Sequence, residues 1–212
     1  MGQIQKGILG GFSGKVGPVV GGNWRGIQYM RSLPTRKKNG SISAAQQLQR
    51  NKFGVVTKLL QPLREMLNLT YAEQGSNLGF GRAVSYNLKH GLTVSGEAVQ
   101  PNYPQLVLAQ GVLPTITLQQ AATVTNQTLL VQWANNAGAG KAGAEDATVI
   151  AVVCSNPLLS RYWLGDATRE DGSQSLNLSS FSGTTVYVYF TLLAANSKIA
   201  ANSMYLGSFS IS

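Results

Sequence analysis

Acidic residues are absent from the first 64 positions of this 212-residue chain, a stretch that holds eleven Lys and Arg side chains. Residues 101–212, by contrast, carry four basic and five acidic side chains, so the net charge of +9 sits almost wholly at one end. A segment of one sign suits a polyanion or an acidic partner surface. Histidine and cysteine are nearly missing as well, with one of each, His90 and Cys154. A single imidazole excludes the two- and three-histidine metal sites, and a single thiol excludes an intrachain disulfide. Lying in the apolar run "TVIAVVC", Cys154 reads as a small buried hydrophobe. Charged residues make up 12% of the chain, about half the usual soluble share. Gly, Ser, Thr, Asn and Gln replace them, as in all-β proteins and in subunits whose surfaces are covered by neighbours. Long apolar runs are missing too, and none approaches the ~18 residues of a membrane span.

The N-terminus "MGQIQKGILGGFSGKVG" has no apolar core of a secretory signal, and Lys6 stands where a myristoylation signal needs Ser or Thr. The expected location is therefore the cytoplasm or a virion. The sequons at Asn68, Asn126 and Asn177 carry no weight without a secretory context.

Catalytic constellations are equally scarce. "GAGKAGAED" resembles a phosphate loop only superficially, because Asn135 replaces its first Gly and Ala142 its Ser or Thr. "GFGRAV" lacks the third glycine of a dinucleotide turn. Glu145-Asp146 and Glu170-Asp171 lie in turn-like contexts, where neighbouring carboxylates point apart and stay hydrated. His90 is expected to serve the C-terminal end of a helix, and a Cys154–His90 dyad would have to bridge two regions. No catalytic residue, metal or cofactor is expected.

What is present divides into three stretches. Residues 1–40 are basic and glycine-rich. Here "VGPVV" and "WRGIQYMR" read as two β-runs split by a turn at Gly21-Gly22-Asn23, with Pro18 at an edge or bulge and Gly26 at a bulge or a close backbone approach. A lone hairpin is barely stable in water, so this arm should dock on its own sandwich, on a neighbouring subunit or on nucleic acid. Residues 41–100 read as helical. Ser43 and Gln46 form a capping box, and Ala44, Ala45, Leu48, Val55, Val56, Leu59, Leu60 and Leu63 cover one side of a helix; Pro62 should start a second short helix or kink the first. A second helix is expected over Gly79–His90, then a linker from Gly91 to Pro104. Residues 101–212 read as β throughout, with strands at Gln105–Ala109, Thr115–Gln119, Thr128–Ala134, Ala147–Cys154, Arg161–Leu164, Ser173–Leu178, Thr184–Leu193 and Ser203–Ile211. The fold class is thus α+β.

The stretches "TLLVQWANNAG", "ATVIAVV" and "LNLSSFSGTTVYVYFTLLAANSKIAANS" resemble the fibronectin type III or immunoglobulin-like pattern. That resemblance implies a β-sandwich with Trp133 in its core and Gly183–Tyr189 opening a late aromatic strand. It leaves the strand order open. "GKVGPVVGGNWRGIQYMRSLP", "QQLQRNKF" and the closing "NSMYLGSFSIS" resemble an uncharacterised family of Bacteroidota proteins of about this size. The N-terminal half is also similar to small bacteriophage virion-associated proteins, with a glycine-punctuated ribbon followed by Arg-x-x-Pro and a Gln-rich helix.

The cationic ribbon is the one constellation with a binding chemistry. Trp24, Arg25, Ile27, Tyr29, Arg31, Arg36, Lys37 and Lys38 are the expected partner-binding residues. Aromatics with Arg dominate protein interfaces, which points to self-association or packing with virion or filament subunits. The acidic turns near Asp146 and Asp171 of another copy are candidate receivers. The same cations on phosphates, with Trp24 and Tyr29 as stacking platforms, would instead suit nucleic acid.

Overall fold

The computed structural model describes residues 3–4, 10–34, 42–71, 78–196 and 199–211. They divide into two compact units, Met1–Ile42 and Ser43–Ser212.

The first unit is an antiparallel meander of β1 (Gln3–Ile4), β2 (Phe12–Val16), β3 (Val19–Trp24) and β4 (Ile27–Ser32), in that order across the sheet. The turn expected at Gly21-Gly22-Asn23 is not there. The chain reverses at Gly17-Pro18 and again at Arg25-Gly26. Backbone chirality explains the difference. Arg25 at φ 53° and Gly26 at φ 86° are both left-handed, as a tight I′ hairpin requires, and Asn23 Oδ1 accepts the Gly26 N–H at 2.9 Å. Gly17, at φ 58°, supplies the positive φ of the other turn, and Pro18 follows it rather than entering a strand. Gly21 and Gly22 lie inside β3 because neighbours come too close for a side chain. A Cβ on Gly21 would stand 2.1 Å from the Phe12 carbonyl oxygen, and one on Gly22 would stand 2.9 Å from the Tyr29 ring.

The second unit begins with the capping box. Ser43 Oγ accepts the Gln46 N–H and Gln46 Oε1 accepts the Ser43 N–H, each at 3.3 Å, opening α1 (Ala44–Leu60). Pro62 lies in a single 3-10 turn, Gln61–Leu63, that leads into α2 (Arg64–Thr70). The expected apolar side is covered only in part: Val56, Leu59 and Leu60 are buried, whereas Ala44 and Ala45 are exposed. Helix α3 (Gly79–His90) stops at Gly91, whose N–H reaches the Asn87 carbonyl. The expected linker then contains a hairpin, β5 (Leu92–Ser95) with β6 (Ala98–Pro101), turned by Gly96 at φ 60°.

Gln105–Ala109, expected as a strand, is not one. Side chains take the place of a ladder there. Asn87 Nδ2 donates to Val107 O and Asn87 Oδ1 accepts Val107 N–H. The Thr70 hydroxyl donates to Leu108 O, the Tyr71 hydroxyl donates to Val107 O, and Ser203 Oγ accepts Leu108 N–H. Buried backbone polar groups must be paired, and these side chains satisfy them without a partner strand.

Seven strands follow: β7 (Thr117–Thr125), β8 (Thr128–Ala134), β9 (Ala147–Cys154), β10 (Arg161–Thr168), β11 (Ser173–Asn177), β12 (Thr185–Leu193) and β13 (Met204–Ser210). They form a three-stranded sheet in the order β11-β8-β7 and a four-stranded sheet in the order β10-β9-β12-β13, all pairs antiparallel. Leu129, Val131 and Trp133 of one sheet pack with Ile150, Val152, Val188 and Phe190 of the other. The alternate residues Val149, Ala151, Val153 and Tyr189 face the opposite way, into a second core with Val56, Leu60, Leu63 and Leu67 of the helices. Both faces of β9 are therefore covered, which is why its sequence is apolar throughout rather than alternating. The unit is mostly β, with its helices layered on one sheet. Among the described residues no helix is long and apolar enough to cross a membrane.

Candidate functional site

Register assigns the side chains of the N-terminal ribbon to faces. Trp24 pairs with Ile27, Gly22 with Tyr29, and Val20 with both Arg31 and Lys15. Directly opposed residues share a face. Lys15, Val20, Trp24, Ile27, Tyr29 and Arg31 therefore stand together. Trp24 is 62% exposed, Ile27 64% and Tyr29 46%, and every residue of β4 is exposed. With no side chain on Gly22, the Tyr29 ring lies over β3, as aromatics do over strand glycines.

Arg25 occupies the turn, with its guanidinium carbon 5.1 Å from the Trp24 ring centroid. That distance is within cation–π range. Residues 10–34 contain Lys15, Arg25 and Arg31 and no acid. Four of the expected partner-binding residues, Trp24, Ile27, Tyr29 and Arg31, thus share one face, and Arg25 caps its end. Arg36, Lys37 and Lys38 lie outside the described residues. Met30, 71% exposed on the opposite face, was not anticipated. With the turn fixed at Arg25-Gly26, counting alternate positions forward along β4 finds it.

The expected acidic receivers are only half as expected. Asp146 is buried, not a hydrated surface acid: its Oδ2 lies 2.9 Å from Arg169 Nη2 and 3.0 Å from Arg169 Nε, and it accepts the Gly143 N–H. Arg169 is fully buried, donates to Pro114 O and Asn136 Oδ1, and its own carbonyl accepts the Trp133 indole N–H at 2.9 Å. This one side chain ties together the loops around residues 114, 136 and 146. The pair has no charge to offer a partner. Asp171 is exposed, and its carboxylate accepts the Thr168 N–H and hydroxyl, which hold its pKa below the usual carboxylate value.

His90 and Cys154 have separate neighbours. The His90 ring lies 4.8 Å from that of Tyr86, in the last turn of α3, while Cys154 is buried and directs its thiol to the Thr185 carbonyl. Among the described residues no three His, Cys, Asp or Glu come together as metal ligands. Two open clefts, of about 630 and 470 Å³, flank α3 and share Tyr86, Lys89 and His90. Among the described residues no acid lines either cleft.

A family described as a family of unknown function (DUF6266) has a model that matches residues 11–207. The chain belongs to that family. The match takes in β2, β3 and β4 as well as nearly all of the second unit. No curated protein matches the chain. Among solved structures it is similar to the chicken CNTN1 FN1–FN3 domains, at 8% identity and a TM-score of 0.34, over 49% of this chain and 33% of that one. The chain spans about a third of the length of that structure, and a likeness so slight assigns no fold.

Proposed function

We propose that the chain is a non-enzymatic structural or interaction protein. It self-associates, or packs with other subunits of an assembly such as a phage virion or filament, through its basic N-terminal arm. The observation that carries this reading is the shared exposed face of Trp24, Ile27, Tyr29 and Arg31. Aromatic anchors flanked by arginine are the usual centres of protein interfaces. Main-chain ladder bonds would supply affinity and the side chains selectivity. In this reading β7–β13 form an immunoglobulin or fibronectin III-type sandwich that carries the arm. Its support is the three-on-four strand arrangement and Trp133 buried between the sheets.

Sedimentation velocity on the full chain, across protein concentration, tests the proposal. Association is expected in the parent and a loss of at least tenfold in affinity in the Trp24→Ser, Tyr29→Ser double variant. A parent that stays monomeric and joins no other subunit ends it.

The stacking of Arg25 on Trp24 also favours a second reading, in which the ribbon binds single-stranded nucleic acid. Fluorescence anisotropy with labelled oligonucleotides separates the two. Binding whose log affinity falls with log salt by about 0.7 per phosphate contact, and that Arg25→Ala with Arg31→Ala abolishes, favours nucleic acid.

A further inference from the structure

We infer that the free edge of β4 pairs antiparallel with β4 of a second copy, about a two-fold axis at Met30. This inference rests on the self-association proposed above and specifies its geometry. Strand β4 is the last in its sheet, and among the described residues nothing pairs with its outer side. The hydrogen bonds already made show which groups are free. Leu33 N–H donates to Pro18 O, just ahead of β3, and Ile27 closes the two-residue hairpin against Trp24. In an antiparallel strand the N–H and C=O of one residue point to the same side, and alternate residues point to opposite sides. The odd positions of β4 therefore serve β3, while Gln28, Met30 and Ser32 direct theirs outward.

An exposed strand with open donors and acceptors and apolar side chains is a template for another strand. The strand carries no acid, no proline and one cation, Arg31. Only registers that oppose outward residues make a ladder. Centring the pair on Met30 sets Met30 against its own copy and Gln28 against Ser32, using every outward residue with on the order of six main-chain bonds.

The intervening positions then oppose Tyr29 with Arg31 and Ile27 with Leu33, at roughly 4.5–5.5 Å between Cβ atoms. Each copy thus lays an arginine beside an aromatic ring and an apolar side chain beside another. Shifting the pair one step along opposes Arg31 to Arg31, and shifting it the other way sets Arg31 against Ile27 with fewer ladder pairs. The Met30 register alone avoids both faults. It also places the Trp24 faces of both copies on the same side, making one continuous surface.

The test uses two variants of the full chain. Met30→Pro removes an outward donor but none of the bonds to β3, so the ribbon stays formed. It is expected to weaken self-association at least tenfold while leaving thermal unfolding unchanged. Met30→Cys, with Cys154→Ser, brings two thiols to about 5.5 Å between Cα atoms, within disulfide reach, and is expected to cross-link quantitatively under mild oxidation. Gln28→Cys in the same background is expected not to, because Ser32 opposes it. Because two basic ribbons meet, added salt is expected to strengthen this dimer, whereas docking on an acidic surface would weaken. Association that survives Met30→Pro and fails in Trp24→Ser overturns the edge pairing and leaves the arm reading standing. Absence of any association overturns both.

Discussion

Strands β4 and β9 have six and eight residues, yet every residue of β4 is exposed and all of β9 from Thr148 onward is buried. Strand β9 has a neighbour strand on each edge and a packed layer on each face, so its valines and isoleucine each contribute roughly 1.5–3 kcal/mol through burial. Strand β4 has one neighbour and relies on cross-strand pairs of about 0.2–1 kcal/mol each. Layers stabilise the body, and ladder bonds with close glycine contacts shape the ribbon. A strand exposed along its whole length has surface left for a partner. A region held by two cores has almost none.

Removing the body's buried ion pair should strain this contrast most. Arg169→Met leaves Asp146 uncompensated and is expected to cost about 3–5 kcal/mol, a fall in melting temperature on the order of 10 °C. Urea and thermal unfolding measure it, and a loss below about 1 kcal/mol would mean that the layers hold without the loop clamp.

High pH is the next lever. Burial pushes the phenols of Tyr71 and Tyr189 well above their ordinary pKa of 10.0. Between that value and the raised one the unfolded chain ionises and the folded chain does not. Stability is thus fully present below about pH 10 and falls above it, by up to about 1.4 kcal/mol per pH unit for each tyrosine. The Tyr71→Phe, Tyr189→Phe double variant should flatten this decline in stability curves taken at successive pH values.

Ser43→Ala removes the cap at the boundary of the two units and is expected to cost about 1 kcal/mol, visible as faster hydrogen exchange in the first turn of α1. The smallest effect on stability belongs to the ribbon. Trp24→Ser is expected to change the body's unfolding by less than about 0.5 kcal/mol while altering association. A large stability loss there would erase the contrast between the regions.

Legibility in the sequence followed the same division. Residues Thr128–Ala134 and Ala147–Cys154 are strands with the expected boundaries, because alternating or continuous burial writes itself into hydrophobicity. The Ser43 capping box was equally readable, being local chemistry over four residues. Glycine was ambiguous at Gly21 and Gly22: the same residue permits a turn or a close approach, and only the Phe12 and Tyr29 contacts decide between them. Gln105–Ala109 has the composition of a strand, but Asn87 and Ser203, distant in sequence, satisfy its backbone. The Arg169–Asp146 pair was unreadable for a similar reason, since both residues lie in turn-like stretches that look hydrated in one dimension. In the candidate site, Trp24, Ile27, Tyr29 and Arg31 were legible by type and spacing. Their common face became evident only when the hairpin turn was fixed at Arg25-Gly26.

The double coverage of β9 and β12 bears on how the molecule can be divided for experiment. A fragment starting at residue 101 would keep the strands but strip away α1, α2 and α3, wetting Val149, Ala151, Val153, Tyr189 and Leu193 together. Such a piece would carry a broad greasy wall and precipitate or clump. Any truncation meant to isolate the strands should therefore begin before Ser43.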